Sequence, residues 1–138
     1  MKSGAWYEGL LVALIKDKEP ASRSYRYAAR LIEREFPPDR GATTIGFCST
    51  EGDRLSSDVV LMQAYCLQSE LDCEVLVIDA RARDTGGGLS SRLGMQQRPG
   101  FAELLSEGLD RFDDCLQPSG VEGVTVLPRG GLSGSLLV

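Results

Sequence analysis

The feature that most constrains the fold of this chain is an apolar run that ends in a carboxylate. Glu74–Asp79 reads EVLVID, and the four residues between the two acids are all branched aliphatics. A continuous apolar run of this length is typical of a parallel strand that is covered on both faces. An acidic residue at the end of such a strand lies at the carboxyl edge of the sheet, where open α/β folds place their ligands. Asp79 is therefore the first candidate site residue.

Two further strands and several helices are predicted around this strand. Gly41–Thr50 is β-branched and apolar and predicts the first strand, and Val121–Pro128 predicts the third. Apolar residues at helical spacing predict helices over 3–17, 22–36, 58–71, 101–106 and 111–116. In the second of these helices the apolar stripe is formed by Tyr25, Ala28, Ala29, Ile32 and Phe36. The alternation of strands and helices predicts an α/β fold with a small, three-layer parallel sheet.

Three segments are predicted along the chain. Residues 1–20 form an N-terminal helix and a linker that ends in Pro20, residues 21–128 form the α/β domain, and residues 129–138 form a flexible tail rich in Gly and Ser. Within the domain, Ser49–Ser57 is a polar loop and Gly86–Gly88 indicates a flexible connector. The apolar run Leu10–Ile15 is far shorter than the ~20 residues of a membrane span, and no secretory signal is recognised. The chain is expected to be cytoplasmic.

The composition excludes several classes of function. A net charge of −5 disfavours a protein that binds nucleic acid by neutralising phosphates. The chain contains no histidine, which removes the commonest general base and the commonest metal ligand. The four cysteines show no CxxC spacing and are expected to be buried free thiols in a reducing compartment.

The order of these pieces resembles a known family. From Arg23 to Leu137 the chain is similar to the cytoplasmic domain of bacterial tyrosine kinases of capsule and exopolysaccharide synthesis, which belong with the MinD/ParA-like P-loop ATPases. The similar segments are SRSYRYAARLIERE at 22–35, VLVIDARARDT at 75–85 and CLQPSGVEGVTVLPRGG at 115–131. The resemblance implies a fold like the N-terminal half of that P-loop fold.

The equivalent of the family's phosphate loop is degenerate. A phosphate loop needs glycines for close backbone approach and a lysine that reaches the phosphates. In CSTEGDRLSS at 48–57, Gly52 remains, Arg54 stands at the second glycine position and Leu55 stands at the lysine position. The hydroxyl that ligates Mg²⁺ in the family is retained as Ser56, which Ser57 follows. The resemblance implies a vestigial nucleotide site formed by these residues and Asp79, and its acidic loop is better suited to start a helix than to bind a triphosphate.

Asp79 matches the first aspartate of the family's second strand motif, which organises Mg²⁺ and water. The family's next aspartate is Arg81 here, so Asp79 is expected to cap a turn or to pair with Arg81 or Arg83. No cofactor is predicted, with Mg-ATP as the alternative. The family's next strand and its tyrosine cluster would follow Leu137, and their absence is expected to leave sheet edges that a partner or a second copy covers.

Three hypotheses of function follow. The first is a non-catalytic, kinase-like accessory protein of bacterial exopolysaccharide or capsule synthesis that acts through protein contacts. The resemblance implies a polysaccharide co-polymerase or synthase subunit as partner, at the inner membrane, with self-association as an alternative. The contact residues would be Trp6, Leu10, Arg23, Arg26 and Arg30.

The other two hypotheses involve nucleotides. One is a residual ATP-binding protein tyrosine kinase that uses Gly52, Ser56 and Asp79. The other is a cyclic-di-GMP sensor, because Arg81 and Asp84 fit the RxxD pattern of some receptors of that messenger.

Overall fold

The computed structural model describes residues 20–49, 53–82 and 88–131, the side chains of 20, 21 and 53–56 excepted. The α-helices are α1 (Pro20–Glu35), α2 (Asp53–Leu71), α3 (Leu89–Arg92), α4 (Phe101–Glu107) and α5 (Phe112–Cys115). The strands are β1 (Val75–Ile78), β2 (Gln117–Pro118) and β3 (Val124–Leu127), and 3-10 turns cover Pro38–Arg40 and Leu109–Arg111. This is a mixed α/β architecture. The predicted helix over 3–17 lies outside the described residues.

The sheet has three strands in the order β1-β3-β2. β1 and β3 run parallel, from Val75 opposite Val124 to Ile78 opposite Leu127. β2 pairs antiparallel on the other edge of β3, so the prediction of a purely parallel sheet is wrong. The chain reaches β3 from β2 through a short turn, and such a connection joins antiparallel neighbours. Pro118 lacks an amide donor, which suits β2 to the edge of the sheet.

The predicted strand at Gly41–Thr50 is also wrong over the described residues. Residues 41–49 have no regular secondary structure and are exposed, and Ile45 and Phe47 are 39% and 44% exposed. β-branched composition favours a strand only where a half-buried pleated surface receives it. Among the described residues, no strand pairs with this segment.

α2 lies between α1 and the sheet and contributes Leu61 and Ala64 to the main core. It begins at Asp53, five residues before the predicted start, and so takes in most of the predicted polar loop. Acidic residues in a first turn favour helix formation there. The core joins α2 to one face of the sheet and to the segment after Gly88, through Leu61, Ala64, Val77, Leu89, Leu93, Met95, Val124 and Val126.

A second core lies on the opposite face of β3. Leu127 points away from Val126, because successive residues of a strand point to opposite faces. It packs with Leu104 of α4 and Cys115 of α5, and Phe101, Phe112 and Leu116 border this cluster. Helices therefore cover β3 on both faces.

α1 packs against α2 through Ala29, which is fully buried. Its apolar stripe ends earlier than predicted, since Phe36 lies just beyond the helix and is 57% exposed. None of the helices in the described ranges is long and apolar enough to cross a bilayer.

Candidate functional site

The candidate site lies at the carboxyl end of β1 and is centred on Asp79. The Asp79 amide extends the ladder to β3 by donating to the Leu127 carbonyl at 3.0 Å. Asp79 is 3% exposed, and its two carboxylate oxygens face a bidentate guanidinium: Arg81 Nε donates to Oδ1 and Nη2 to Oδ2, both at 2.9 Å. The predicted pairing of Asp79 with Arg81 is confirmed.

Ser90 completes the shell of donors around Asp79. Its hydroxyl donates to Oδ2 at 2.6 Å and its amide donates to the same oxygen at 3.0 Å. Ser90 is the second residue of α3, so the carboxylate also lies where the first turn of that short helix presents its amides. With a longer contact from the Arg81 amide, the carboxylate accepts five hydrogen bonds. About four lone-pair positions are available on a carboxylate, so its acceptor capacity is filled.

Arg129, like Ser90, is a part of the site that the sequence did not predict. Its amide donates to the Ser90 hydroxyl at 2.8 Å, which links it to Asp79 through one oxygen atom. Its guanidinium donates to the carbonyls of Arg81, Ala82 and Gly130 at 2.8–3.0 Å. Arg129 is only 6% exposed. The sequence predicts a flexible tail that begins at Arg129. The structure instead holds residues 129–131 by hydrogen bonds, and residues 132–138 lie outside the described residues.

Glycines allow the parts of the site to approach closely. A Cβ at Gly88 would overlap the Arg81 guanidinium, so Gly88 leaves the space in which that side chain lies. Gly130 has a φ of +73°, which favours glycine, and it lies against the Glu103 carboxylate. Glu103 accepts from the amides of Gly100 at 2.7 Å and Gly131 at 2.8 Å and so ties the end of β3 to α4.

The charge state of Asp79 follows from these contacts. Burial by itself raises the pKa of Asp79, but the hydrogen bonds from Arg81 and Ser90 and the charge of Arg81 outweigh it, so the pKa is lowered from its ordinary value. The side chain is a buried carboxylate that is kept ionised by an internal cation. In this arrangement both carboxylate oxygens accept hydrogen bonds from donors of the same chain.

The structure does not show all of the predicted nucleotide-site residues at the carboxyl end of β1. Gly52 lies outside the described residues, and Arg54 and Ser56 lie in the first turn of α2 with side chains that are not described. Ser57 is 4% exposed. Asp58 forms an ion pair with Arg92, which joins the start of α2 to α3.

The predicted cyclic-di-GMP pair is not seen as a pair. Arg81 is engaged by Asp79, and Asp84 lies outside the described residues.

Part of the positive charge on the predicted partner surface is neutralised by a carboxylate of the same chain. Arg23, Arg26 and Arg30 are exposed on α1. Arg26 lies 3.6 Å and Arg30 lies 3.1 Å from the Glu70 carboxylate of α2, so this basic face is bridged to the neighbouring helix. Trp6 and Leu10 lie outside the described residues.

The cysteines differ in exposure, although all four are free. Cys66 and Cys115 are buried and Cys73 is half-buried, and burial raises the pKa of each of these thiols. Cys48 is exposed, which corrects the prediction that all four are buried.

Comparison of the sequence with protein-family models and with curated proteins, and of the chain with solved structures, found no match.

Proposed function

We propose that this chain is a non-catalytic, kinase-like accessory protein of bacterial exopolysaccharide or capsule synthesis that acts through protein contacts. The observation that carries the proposal is the state of Asp79. In the family that the sequence resembles, the matching aspartate organises Mg²⁺ and water, whereas here Arg81 and Ser90 fill its acceptor positions.

The energetics support a structural role for this carboxylate. Removing Arg81 from Asp79 would leave a buried charge without a partner, which costs several kcal/mol. A magnesium ion that replaced Arg81 at Asp79 would first have to compensate for that cost. Only binding free energy beyond it could contribute to holding a nucleotide. Leu55 stands where the family has its phosphate-binding lysine, and an aliphatic side chain cannot neutralise phosphate charge in a transition state.

The surface of the domain supports a role in protein contact. Ile45, Phe47, Leu76 and Ile78 are large apolar residues at least 39% exposed. The resemblance suggests the cytoplasmic part of a polysaccharide co-polymerase or synthase subunit as the partner, which would place the chain at the inner membrane through that partner.

The experiment that tests the proposal is a thermal-shift titration with millimolar Mg·ATP, Mg·ADP and cyclic-di-GMP. A ligand that binds only the folded chain at 100 times its Kd stabilises it by about 2.7 kcal/mol, a shift of several degrees for a chain of this size. We expect no shift with any of the three, and co-purification with a co-polymerase from membranes of a capsule-producing bacterium.

Two results would contradict the proposal. A shift with Mg·ATP that disappears in Ser56→Ala would restore the kinase hypothesis. A shift with cyclic-di-GMP alone that disappears in Arg81→Ala would make the chain a messenger sensor. Thr44→Ala, in the exposed irregular segment, serves as the matched control for both variants.

A further inference from the structure

The backbone of β1 is paired along one edge only among the described residues. The Val75 amide donates to the Gly123 carbonyl at 2.8 Å, and the Asp79 amide donates to the Leu127 carbonyl at 3.0 Å. Residues 75, 77 and 79 therefore direct their backbone groups to β3. Because backbone groups alternate between the two edges of a strand, the amides and carbonyls of Leu76 and Ile78 point to the other edge. No described segment forms a ladder with that edge.

The open edge is also apolar and carries neither the charges nor the prolines that block edge pairing. Leu76 and Ile78 are 41% and 46% exposed, and both lie on the face turned away from α2. Natural edge strands are protected by lysine, proline, inward-pointing charge or a bulge. Val75–Ile78 contains no charged residue and no proline. The edge is suited to accept a short apolar strand.

We propose that the occupant is β1 of a second copy of this chain, paired antiparallel across a two-fold axis that passes beside Val77. The dimer would join the two three-stranded sheets into one continuous sheet. Two-fold symmetry makes the same patch of both copies meet, and a strand that meets its own copy in this way runs antiparallel. This inference goes beyond the proposed function and does not rest on it.

The sequence of β1 is complementary to itself in this register. Leu76 lies opposite Ile78 of the second copy, and Ile78 lies opposite Leu76. Residues that face each other in this way exchange two hydrogen bonds, so the amides and carbonyls that each copy leaves on the open edge of β1 are all satisfied. The four exposed aliphatic side chains form two directly opposed pairs on one face.

The alternative registers are poorer. A shift of two residues in one direction places Ile78 opposite Glu74, which is exposed and charged. A shift in the other direction places Leu76 opposite Ala80 and loses one of the aliphatic pairs. In the register centred on Val77, Glu74 lies opposite Ala80. The contact thus brings no like charges face to face, although the whole chain carries −5.

Sedimentation equilibrium tests the dimer. A four-residue edge is a small interface, so we expect a weak dimer that forms at high protein concentration and dissociates on dilution. Leu76→Lys should reduce association at least tenfold, because it adds charge to the edge without disturbing the ladder to β3. Leu105→Lys is the matched control, since Leu105 is 65% exposed on α4, and this variant should associate like the unaltered chain. Circular dichroism verifies that both variants are folded.

Disulfide trapping tests the register in a Cys48→Ser background, which removes the exposed native thiol. A mixture of Leu76→Cys and Ile78→Cys chains should cross-link, because directly opposite residues have Cα atoms about 5.5 Å apart, within the range of a disulfide. Either variant alone should not, since identical positions are offset by two residues along the paired strands.

Three outcomes would overturn the proposal. The first is a chain that stays monomeric at all concentrations. The second is a dimer that Leu76→Lys leaves unchanged, and the third is efficient cross-linking of either single variant by itself. If the chain is monomeric, hydrogen exchange would distinguish between the other candidates for pairing with the open edge of β1. Protected Leu76 and Ile78 amides would indicate the chain's own residues 41–49, and unprotected amides would leave the edge for a different protein.

Discussion

At the scale of single residues, the most informative arrangement is the buried ionic network of Asp79, Arg81, Ser90 and Arg129. A buried ion pair contributes little net stability unless its geometry is good and its other polar atoms are satisfied. Here the pair is bidentate, and Ser90 connects it to the Arg129 amide. Both oxygens of the Asp79 carboxylate are thus hydrogen-bonded by groups of the same chain.

The depressed pKa of Asp79 predicts how stability depends on pH. The pKa is lower in the folded chain than its unfolded value of about 3.9. The carboxylate therefore contributes stability in full above the unfolded pKa, and this contribution is lost as the pH falls through the folded pKa. In Asp79→Asn we expect a lower free energy of unfolding at pH 7, and we expect the difference from the unaltered chain to shrink on acidification.

Urea unfolding at pH 7 and at about pH 3 measures this difference. The comparison between the two chains removes the contribution of the other acidic residues, which titrate in both. Ser106→Ala is the stability control, because Ser106 is exposed on α4 and takes no part in the network. Parallel loss of stability in the two chains on acidification would show that Asp79 is not held ionised by its partners.

At the scale of elements, the junction between β3 and α4 positions the site. The amides of Phe101 and Ala102 donate to the carbonyls of Pro128 and Arg129 at 2.8 Å and 2.9 Å. These amides of the first turn of α4 thus find their acceptors in the backbone that follows β3. The hydrogen bonds hold α4, β3 and Arg129 together as one unit. Gly100 precedes this turn, and a Cβ there would overlap the Pro128 carbonyl.

Gly100→Ala should therefore destabilise the chain. The obstacle is a backbone oxygen, which cannot rotate away as the end of a side chain could, so α4 would have to move from β3. Overpacking of this kind costs about 1–3 kcal/mol. Gly46→Ala is the matched control, because a Cβ at Gly46 meets nothing within 4 Å. Thermal unfolding that shows equal melting temperatures for the two variants would contradict the close packing at Gly100.

At the scale of the whole molecule, stability is concentrated around β3. This strand pairs on both edges, and Val126 is fully buried under α2. The irregular segment 41–49 is exposed along its whole length. We expect the amides of β3 to exchange with solvent only through global unfolding and those of 42–47 to exchange with little protection.

Hydrogen exchange followed by NMR in dilute protein measures both groups of amides in one experiment. Comparable protection factors for the two would mean that residues 41–49 pair in solution, and the open edge of β1 would then have an occupant within the chain.

What the sequence alone determined is what local spacing encodes. The helical period located α1 and most of α2, and the run Val75–Ile78 located β1 and placed Asp79 at its end. The partner Arg81 was also predictable, because it is only two residues away. What only the tertiary structure decided depends on groups far apart in the chain. Arg129 donates to a carbonyl 47 residues before it, and Ser90 reaches Asp79 across 11 residues. Residues 41–49 have the composition of a strand, but no described strand pairs with them, because local sequence does not determine which segment pairs with the edge of a sheet.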